Sequence, residues 1–497
     1  SVVKSCDTIK DVWIGPGSYI KGANKLKNLM LRSTIAEPVQ IGEGVELVNG
    51  IIGSGSRIFY GCKAIRFIMG DNCNLKYGAR LIHSFLGDNS TVSCCELLSN
   101  LVFSGHEQHH NNSFLIASLI KGQSNMAAGA NIGSNHNSRG NDGEMVAGRG
   151  FWPALSSTLK YDCKFASYVL ITKGNYPHEL NIPLPFSLLS ADTKESRRIV
   201  MPAYWWMYNL YALERNSFKY RKRDKRKVIR QHIETEYLAP DTVNEIFEAC
   251  DLLCLWVAQN FNRAHASNEE QRNLILMGRD LLKNKAVEVN SLHIYAWGLE
   301  NSNEPVEILK VVEAYHAYQE MLLYYGVKTL SAYCLATGQT IASFQEKETI
   351  RREDWLNVGG QLVPASRVEQ LKADLKDRTL SSWDDVHHAY DDWFASYEED
   401  RAIHALATLY QTLGAKQINI GQWEELVEDV ARIRLHIENQ VFKTKEKDFN
   451  NRFRESTYRN LAERDAVLGS LDDNPFIQES RQITEQVLSQ IRSVSFA

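Results

Sequence analysis

The sequence has no run of about 18 or more apolar residues, the length that a membrane-crossing helix needs. Its opening, SVVKSCDTIKDVW, lacks the apolar core of a secretion signal, so a soluble, cytoplasmic chain with no membrane partner is expected. An excess of charge of one sign is missing as well: 56 Lys and Arg stand against 60 Asp and Glu, a formal net charge of -4. That balance excludes a general polyanion binder, and nucleic acid with it, while leaving room for a local basic patch. The nine cysteines (6, 62, 73, 94, 95, 163, 250, 254 and 334) include no CxxC pair and no Cys/His spacing that suits zinc, so they read as buried, reduced thiols. No P-loop and no dinucleotide-binding fingerprint occurs.

Glycine is scarce after residue 175, where only 9 of the 30 fall, and the remaining 21 precede it. This step in composition puts a domain boundary near 180–200, with residues 1–190 forming one unit and 200–497 a second, helical one. At 497 residues the chain is long enough for two cores, and 44% apolar residues can fill them.

Within the glycine-rich part a period can be counted. The pattern of an apolar residue, Gly, two variable positions and a small residue returns every 17 positions at Ile52-Gly-Ser-Gly-Ser, Met69-Gly-Asp-Asn-Cys and Leu86-Gly-Asp-Asn-Ser, then loosely at Ile120. Resolved as 6 + 6 + 5, it gives three leads per turn: 35, 41, 47; 52, 58, 64; 69, 75, 81; 86, 92, 98; 103, 109, 115; and 120, 126, 132. Seventeen of these eighteen residues are apolar, which predicts a prism of three short strands per turn with leads pointing inward. Small residues such as Ser56, Cys73, Ser90 and Ser124, four positions after a lead, suit tight corners. The pattern returns at Leu159, Phe165 and Ile171, and a looser version occupies Ile14 and Ile20.

This pattern resembles the hexapeptide motif of the left-handed β-helix superfamily, matched best by Ile41-Gly-Glu-Gly-Val, Ile52-Gly-Ser-Gly-Ser and Leu86-Gly-Asp-Asn-Ser over about residues 12–190. The resemblance implies a left-handed parallel β-helix followed by a large all-α domain. It further implies a homotrimer with sites between neighbouring prisms, and either acyl transfer from acyl-CoA or the C-terminal part of a sugar-1-phosphate nucleotidyltransferase. The whole layout is similar to a bacterial family labelled putative glucose-1-phosphate thymidylyltransferase. Gly53-Ser-Gly55-Ser-Arg57-Ile58 resembles the phosphate loop of those enzymes, but it lies on the repeat grid with Ile52 and Ile58 as leads, and no helix pattern follows. It therefore reads as a prism corner, and the nucleotidyl chemistry has no visible catalytic domain.

Candidate chemistry sits where the grid breaks. His109 falls on a lead in the run Ser104-Gly-His106-Glu-Gln-His109-His110-Asn111-Asn112, and a buried unpaired imidazole costs about 1–3 kcal/mol. Either it is paired, with Glu107 or Glu96, or the segment leaves the prism. Asn135-His136-Asn137 follows Ile132, and residues 138–158, carrying Arg139, Asp142, Glu144, Arg149 and Trp152, are expected to leave the repeat as a ligand-facing loop. Lys173 and His178 come after the last predicted coil.

Histidine suits general-base work because its ordinary pKa is near 6.5. His109, His106 and His136 are the catalytic candidates in that order, with Asn111, Asn112, Asn135, Asn137, Arg139, Lys173 and His178 available to hold a sugar, a sugar phosphate or a sugar nucleotide. No covalently bound cofactor is expected, and acyl-CoA is the candidate donor. Two readings stand beside this one. Asn72, Asn89, His106 and Gln123, each 17 apart, could form a corner ladder of purely structural use. His106, His109, His110 and His136 could bind a metal, but without a recognisable ligand spacing no metal site is assigned.

From about 200 onward apolar residues recur at three and four, predicting eight to twelve antiparallel helices with gaps near 263–268, 299–304, 338–341, 357–365 and 414–420. Pro240 and Pro305 read as helix starts, and Ser382 with Asp385 as a capping box. The basic run Lys219–Lys227 reads as a solvated helix face or an oligomer contact before a phosphate site. The functional expectation is a transferase, acyl transfer first. The alternatives are a nucleotidyltransferase relative without its catalytic domain and a non-catalytic trimeric scaffold.

Overall fold

The computed structural model describes residues 1–134, 143–191, 197–262, 268–347 and 350–497. Its first part is a parallel β-solenoid of about 11 turns. One inward column runs through Leu31, Ile52, Met69, Leu86, Val102, Ile120, Ala147, Phe165 and Ile182, each paired laterally with the next. A fully buried Ile or Leu contributes about 1.5–3 kcal/mol, which an isolated coil cannot collect, so stability comes from stacking. Three strands fit into so short a turn because the chain reverses through left-handed backbone at the corners. Along one edge Asp11, Asn28, Asn49, Arg66, His83, Ser99 and Ala117 all have φ between 48° and 59°. Asp and Asn adopt that conformation more readily than most side chains, and the stack on both sides holds the others in it.

Fourteen of the eighteen expected leads are at most 1% exposed, and the four exceptions have two causes. Ile35 is 85% exposed because the coil between Leu31 and Ile52 is 21 residues long, and the extra residues bulge outward. The other three follow a slip of one residue. Leu81 pairs with Leu97 and Val92 with Gln108, so the inward residues are Leu97, Val102 and Gln108, and not Leu98, Phe103 and His109. The register recovers at Leu115 because seven residues, not six, separate it from Gln108.

The expected excursion over 138–158 is corrected for residues 145–158, while residues 138–142 lie outside the described ones. Met145–Ala147 pairs with Ser118–Ile120 and Trp152–Pro153 with Leu170–Ile171, so both are solenoid strands, and Phe151 is fully buried. The solenoid continues beyond His178 through Asn181–Ile182 and Leu188–Ala191.

The second part is helical but not all-α. Arg198–Met201, Val306–Ile308 and Ile294–Ala296 extend one solenoid sheet beyond Leu188–Ala191, and Trp355–Val358 with Gln361–Pro364 forms a hairpin. Val306–Ile308 is therefore a strand where Pro305 suggested a helix start. Fourteen helices are present among the described residues: α1 (Tyr204–Tyr208), α2 (Leu210–Arg223), α3 (Pro240–Asn262), α4 (Asn268–Asn284), α5 (Ala286–Asn290), α6 (Val311–Thr337), α7 (Ile341–Gln345), α8 (Ala365–Lys376), α9 (Trp383–Ala395), α10 (Tyr397–Leu413), α11 (Ile420–Glu446), α12 (Arg452–Glu455), α13 (Leu461–Leu468) and α14 (Pro475–Ser493). α6 is the central one, packing on α3, α10, α11 and α14. Gly326 lets α10 approach, since a Cβ there would lie 2.5 Å from Leu409 Cδ2. Ser382 and Asp385 form the expected capping box at the start of α9. None of the described helices is long and apolar enough to cross a membrane.

Outward positions differ sharply between faces of the solenoid. Trp13, Met30, Ile51, Ile68, Phe85, Leu101, Leu119 and Val146 stack in one outward column. Trp13, Met30, Ile68 and Leu101 are 44–55% exposed. Another face carries Arg57, Asn74, Thr91 and Glu107 in lateral register, and the segment after α2 lies over it.

Candidate functional site

The basic run 219–227 joins the helical part to the solenoid. Arg226 is buried and donates to Asp88 at 2.7 Å and to Asp224 at 2.7 and 2.9 Å, while the backbone N–H of Lys227 donates to Glu37 at 2.7 Å. Arg223 and Lys219 both reach Glu107, Lys219 at 3.5 Å. A second clamp follows: Arg149, 1% exposed, donates twice to Asp241 at 2.8 Å and once to the Glu236 carbonyl at 3.0 Å. Arg149 is therefore an internal tie and does not face a ligand. The basic run is largely spent on docking within the chain.

Between this segment and the prism lies a cleft of about 360 Å³, lined by Arg57, Asn72, Asn74, Asn89, Thr91, Glu107, His109, Arg223 and Lys225. Lateral pairing stacks Arg57, Asn74, Thr91 and Glu107 one above another, about 4.8 Å apart by strand spacing. Asn72 donates to Asn89 at 2.6 Å across the adjoining corner. The lining offers three amides and a hydroxyl for hydrogen bonds, and three fixed cations against one carboxylate. Such a set suits a hydroxylated ligand carrying an anionic group.

Of the two catalytic candidates among the described residues, His109 reaches this cleft and His106 does not. The Nδ1 of His109 lies 3.8 Å from Glu107, and its side chain is 38% exposed. Partial burial and the neighbouring His110 and Lys219 push its pKa below the ordinary histidine value, so the ring is neutral at pH 7.

His106 lies inside the prism, fully buried, with both ring nitrogens engaged: Nδ1 with the Ser124 hydroxyl at 2.8 Å and Nε2 with the Gln108 side-chain oxygen at 3.1 Å. Gln108 in turn donates to Ser113 at 3.0 Å. Burial lowers the His106 pKa to about 4, so the neutral ring donates from Nε2 and accepts at Nδ1. A polar pair replaces apolar leads in this coil at little cost because every group in the chain Ser124, His106, Gln108, Ser113 is satisfied. The place of His106 is thus structural, and Gly105, not His106, stands at the corner between Asn89 and Gln123.

Asn111 and Asn112 are exposed in the loop that absorbs the extra residue before Leu115, next to His109 but outside the cleft lining. Lys173 and His178 are exposed three coils further along, about 14 Å by strand spacing, so the structure does not bring them to His109. Asn135, His136, Asn137 and Arg139 lie outside the described residues. Among the described residues no three His, Cys, Asp or Glu side chains are grouped to hold a metal. All nine cysteines are unpaired, seven of them buried. The residues missed by motif reading, Arg57, Asn74, Thr91 and Glu107, each precede an inward residue by one position, so the repeat grid itself was the signal that could have found them.

A family model described as "Domain of unknown function (DUF4954)" matches residues 1–255 of the 497. The chain belongs to the DUF4954 family. The match runs past the solenoid through α2 and its basic run into α3, so the docked segment lies within the family's unit. A second model, "Domain of unknown function (DUF6819)", matches residues 338–491. A protein of Treponema pallidum (strain Nichols), named only "Uncharacterized protein", is 50% identical over 484 residues. That alignment covers 97% of this chain but 66% of the relative, so the chain spans slightly less than two thirds of the relative's length.

Proposed function

We propose that the protein is a hexapeptide-repeat transferase that holds a sugar phosphate or sugar nucleotide in the cleft between the prism and the segment following α2. The observation that carries this reading is the cleft lining, in which Asn72, Asn74, Asn89 and Thr91 can bond sugar hydroxyls while Arg57, Arg223 and Lys225 can pair with phosphate. His109 is the base. Neutral at pH 7, it takes a proton from the acceptor hydroxyl or amine. With acyl-CoA as donor, the freed lone pair attacks the thioester carbonyl, a C–O or C–N bond forms, the C–S bond breaks, and the thiol leaves with the proton. Positioned proton transfer of this kind is worth about 10²–10⁴ in rate.

The same reading takes the solenoid as left-handed, the protein as cytoplasmic and the assembly as a homotrimer. Support for assembly comes from the outward apolar column beginning at Trp13, a strip that association would remove from water. That column equally supports the second reading, a non-catalytic scaffold whose solenoid is a rigid spacer.

Calorimetric titration with glucose 1-phosphate and a uridine diphosphate sugar, followed by assay with radiolabelled acetyl-CoA, separates the two. A transferase gives saturable binding weakened at least tenfold by Arg57→Ala with Asn74→Ala, and turnover lost in His109→Ala while binding persists. No binding and no turnover would leave the scaffold.

A further inference from the structure

Beside the cleft, the corner that follows the strands bearing Arg57, Asn74, Thr91 and Glu107 changes length from coil to coil. Between inward residues it takes four positions from Ile58 to Cys62 and from Leu75 to Ala79, three from Val92 to Cys95, and five from Gln108 to Ser113. The hydrogen bonds record the missing residue. Gly61 and Gly78 donate to the carbonyls of Glu43 and Tyr60, each at 2.9 Å, whereas Cys94 donates to Lys76 at 3.2 Å and not to Tyr77. A short corner between two longer ones leaves a notch one coil high, with the partly buried Cys94 as its back wall.

Tyr77 forms one side of the notch. Its ring stacks on that of Tyr60, one coil back, with centroids 5.2 Å apart and planes 8° from parallel, and the two residues are 59% and 54% exposed. Single exposed aromatics are ordinary, but a stacked pair held out from a corner is an apolar platform. Tyr60 covers one face of Tyr77, so the other face turns toward the coil of Cys94. The opposite side of the notch is the long corner of exposed His109, His110 and Asn111, in which the two imidazole rings lie 4.3 Å apart. The two sides are two coils apart, about 9.6 Å at about 4.8 Å per coil. A flat base stacked on both faces needs only about 7 Å, twice a carbon contact of about 3.5 Å, so the notch suits a thicker ring with one apolar face and polar substituents.

We propose that the notch holds the pyranose ring of a hexose phosphate, its C–H face on Tyr77 and its hydroxyl edge toward His109 and Asn111. This rests on the transferase reading of the cleft and gives the acceptor its place. His109 borders both spaces, so the hydroxyl to be deprotonated belongs in the notch, and a nucleobase there would offer it none. The phosphate then lies on the strand side, where Arg57, Arg223 and Lys225 line the cleft. Tyr77 determines specificity: it touches the ring and takes no part in proton transfer.

The test titrates the full chain calorimetrically with glucose 1-phosphate, glycerol 3-phosphate and uridine monophosphate. Glycerol 3-phosphate has the phosphate and hydroxyls without a ring, and is expected to bind at least tenfold more weakly than glucose 1-phosphate. Tyr77 has a φ of 54°, which Asn tolerates, so Tyr77→Asn should weaken glucose 1-phosphate at least tenfold while Tyr77→Phe keeps parental affinity. Cys94→Tyr, which continues the aromatic stack into the notch, should weaken it as much. An unchanged melting temperature checks that each variant folds. The subsite alone is overturned if glucose 1-phosphate keeps parental affinity in Tyr77→Asn or in Cys94→Tyr, if glycerol 3-phosphate binds as tightly, or if uridine monophosphate loses tenfold in Tyr77→Asn, which would put the base in the notch. If no probe saturates, the transferase reading falls with it.

Discussion

The solenoid face bearing Arg57, Asn74, Thr91 and Glu107 and the face bearing Trp13, Met30, Ile51 and Ile68 are built from the same kind of coil, yet one is polar and covered and the other apolar and bare. What they share is inside: the inward residues fix the coil, and the outward positions are then free to carry whatever the surface needs. Covering the polar face engages the chain's basic run, in which Arg226 is buried against Asp88 and the more exposed Arg223 reaches Glu107.

The largest expected effect comes from uncovering that face. Arg149→Ala leaves Asp241 facing a buried, unpaired site, and losing one partner of such an ion pair costs about 3–5 kcal/mol. Urea denaturation should show this loss, and a change under about 1 kcal/mol would mean that the two parts are joined mainly by other contacts.

The next contrast is between the imidazole inside the prism and the one outside it. The His106 pKa falls from 6.5 to about 4 on folding, so the unfolded chain binds the proton first as pH drops. Its contribution is complete above pH 6.5 and is lost as pH falls toward 4, a span corresponding to about 3 kcal/mol. Buried His404, lowered to about 3, acts in the same direction. Stability measured across this range should flatten on the acid side in His106→Gln, and an unchanged slope would remove His106 as a cause.

On the bare face, Ile68→Glu places a charge in the middle of the apolar column. If the column is an interface between copies, light scattering should show the assembly dissociate while unfolding free energy per chain changes by less than about 1 kcal/mol in the isolated subunit. A parental protein that is already monomeric would refute the trimer. The smallest effect is expected at the outer imidazole. His109→Ala should alter stability by no more than about 0.5 kcal/mol, as for a surface substitution, and a larger loss would make that residue structural as well.

Most of the prism was legible because a counted period is insensitive to individual residues. It failed at Leu98, Phe103 and His109 for a specific reason. Leu97-Leu98 and Val102-Phe103 are apolar pairs, and Gln108-His109 a polar one, so two registers one residue apart fit about equally well. A one-residue slip exchanges the inner and outer faces, which put His109 inside on paper and outside in the molecule. The same slip explains why His106 joined the corner ladder in the sequence and the interior network in the structure. The cleft was legible only in part: His109 was named, but Arg57, Asn74 and Thr91 resemble ordinary solvated strand residues until a second element is laid over them. Pro305 misled because Val306–Ile308 is short, and its pairing with Arg198–Met201 and Ile294–Ala296, both separate from it in sequence, makes it β.

By itself the sequence determined the repeat, its inward residues over most of the coils, the helical character of the second half and the capped start of α9. These depend on interactions within one turn or between adjacent turns, where spacing along the chain translates directly into distance. Tertiary structure decided which of two adjacent residues faces inward, where the basic run docks, and that a cleft exists at all. Each of these depends on groups far apart in sequence, such as Arg149 with Asp241 or Arg226 with Asp88, whose meeting no local pattern records.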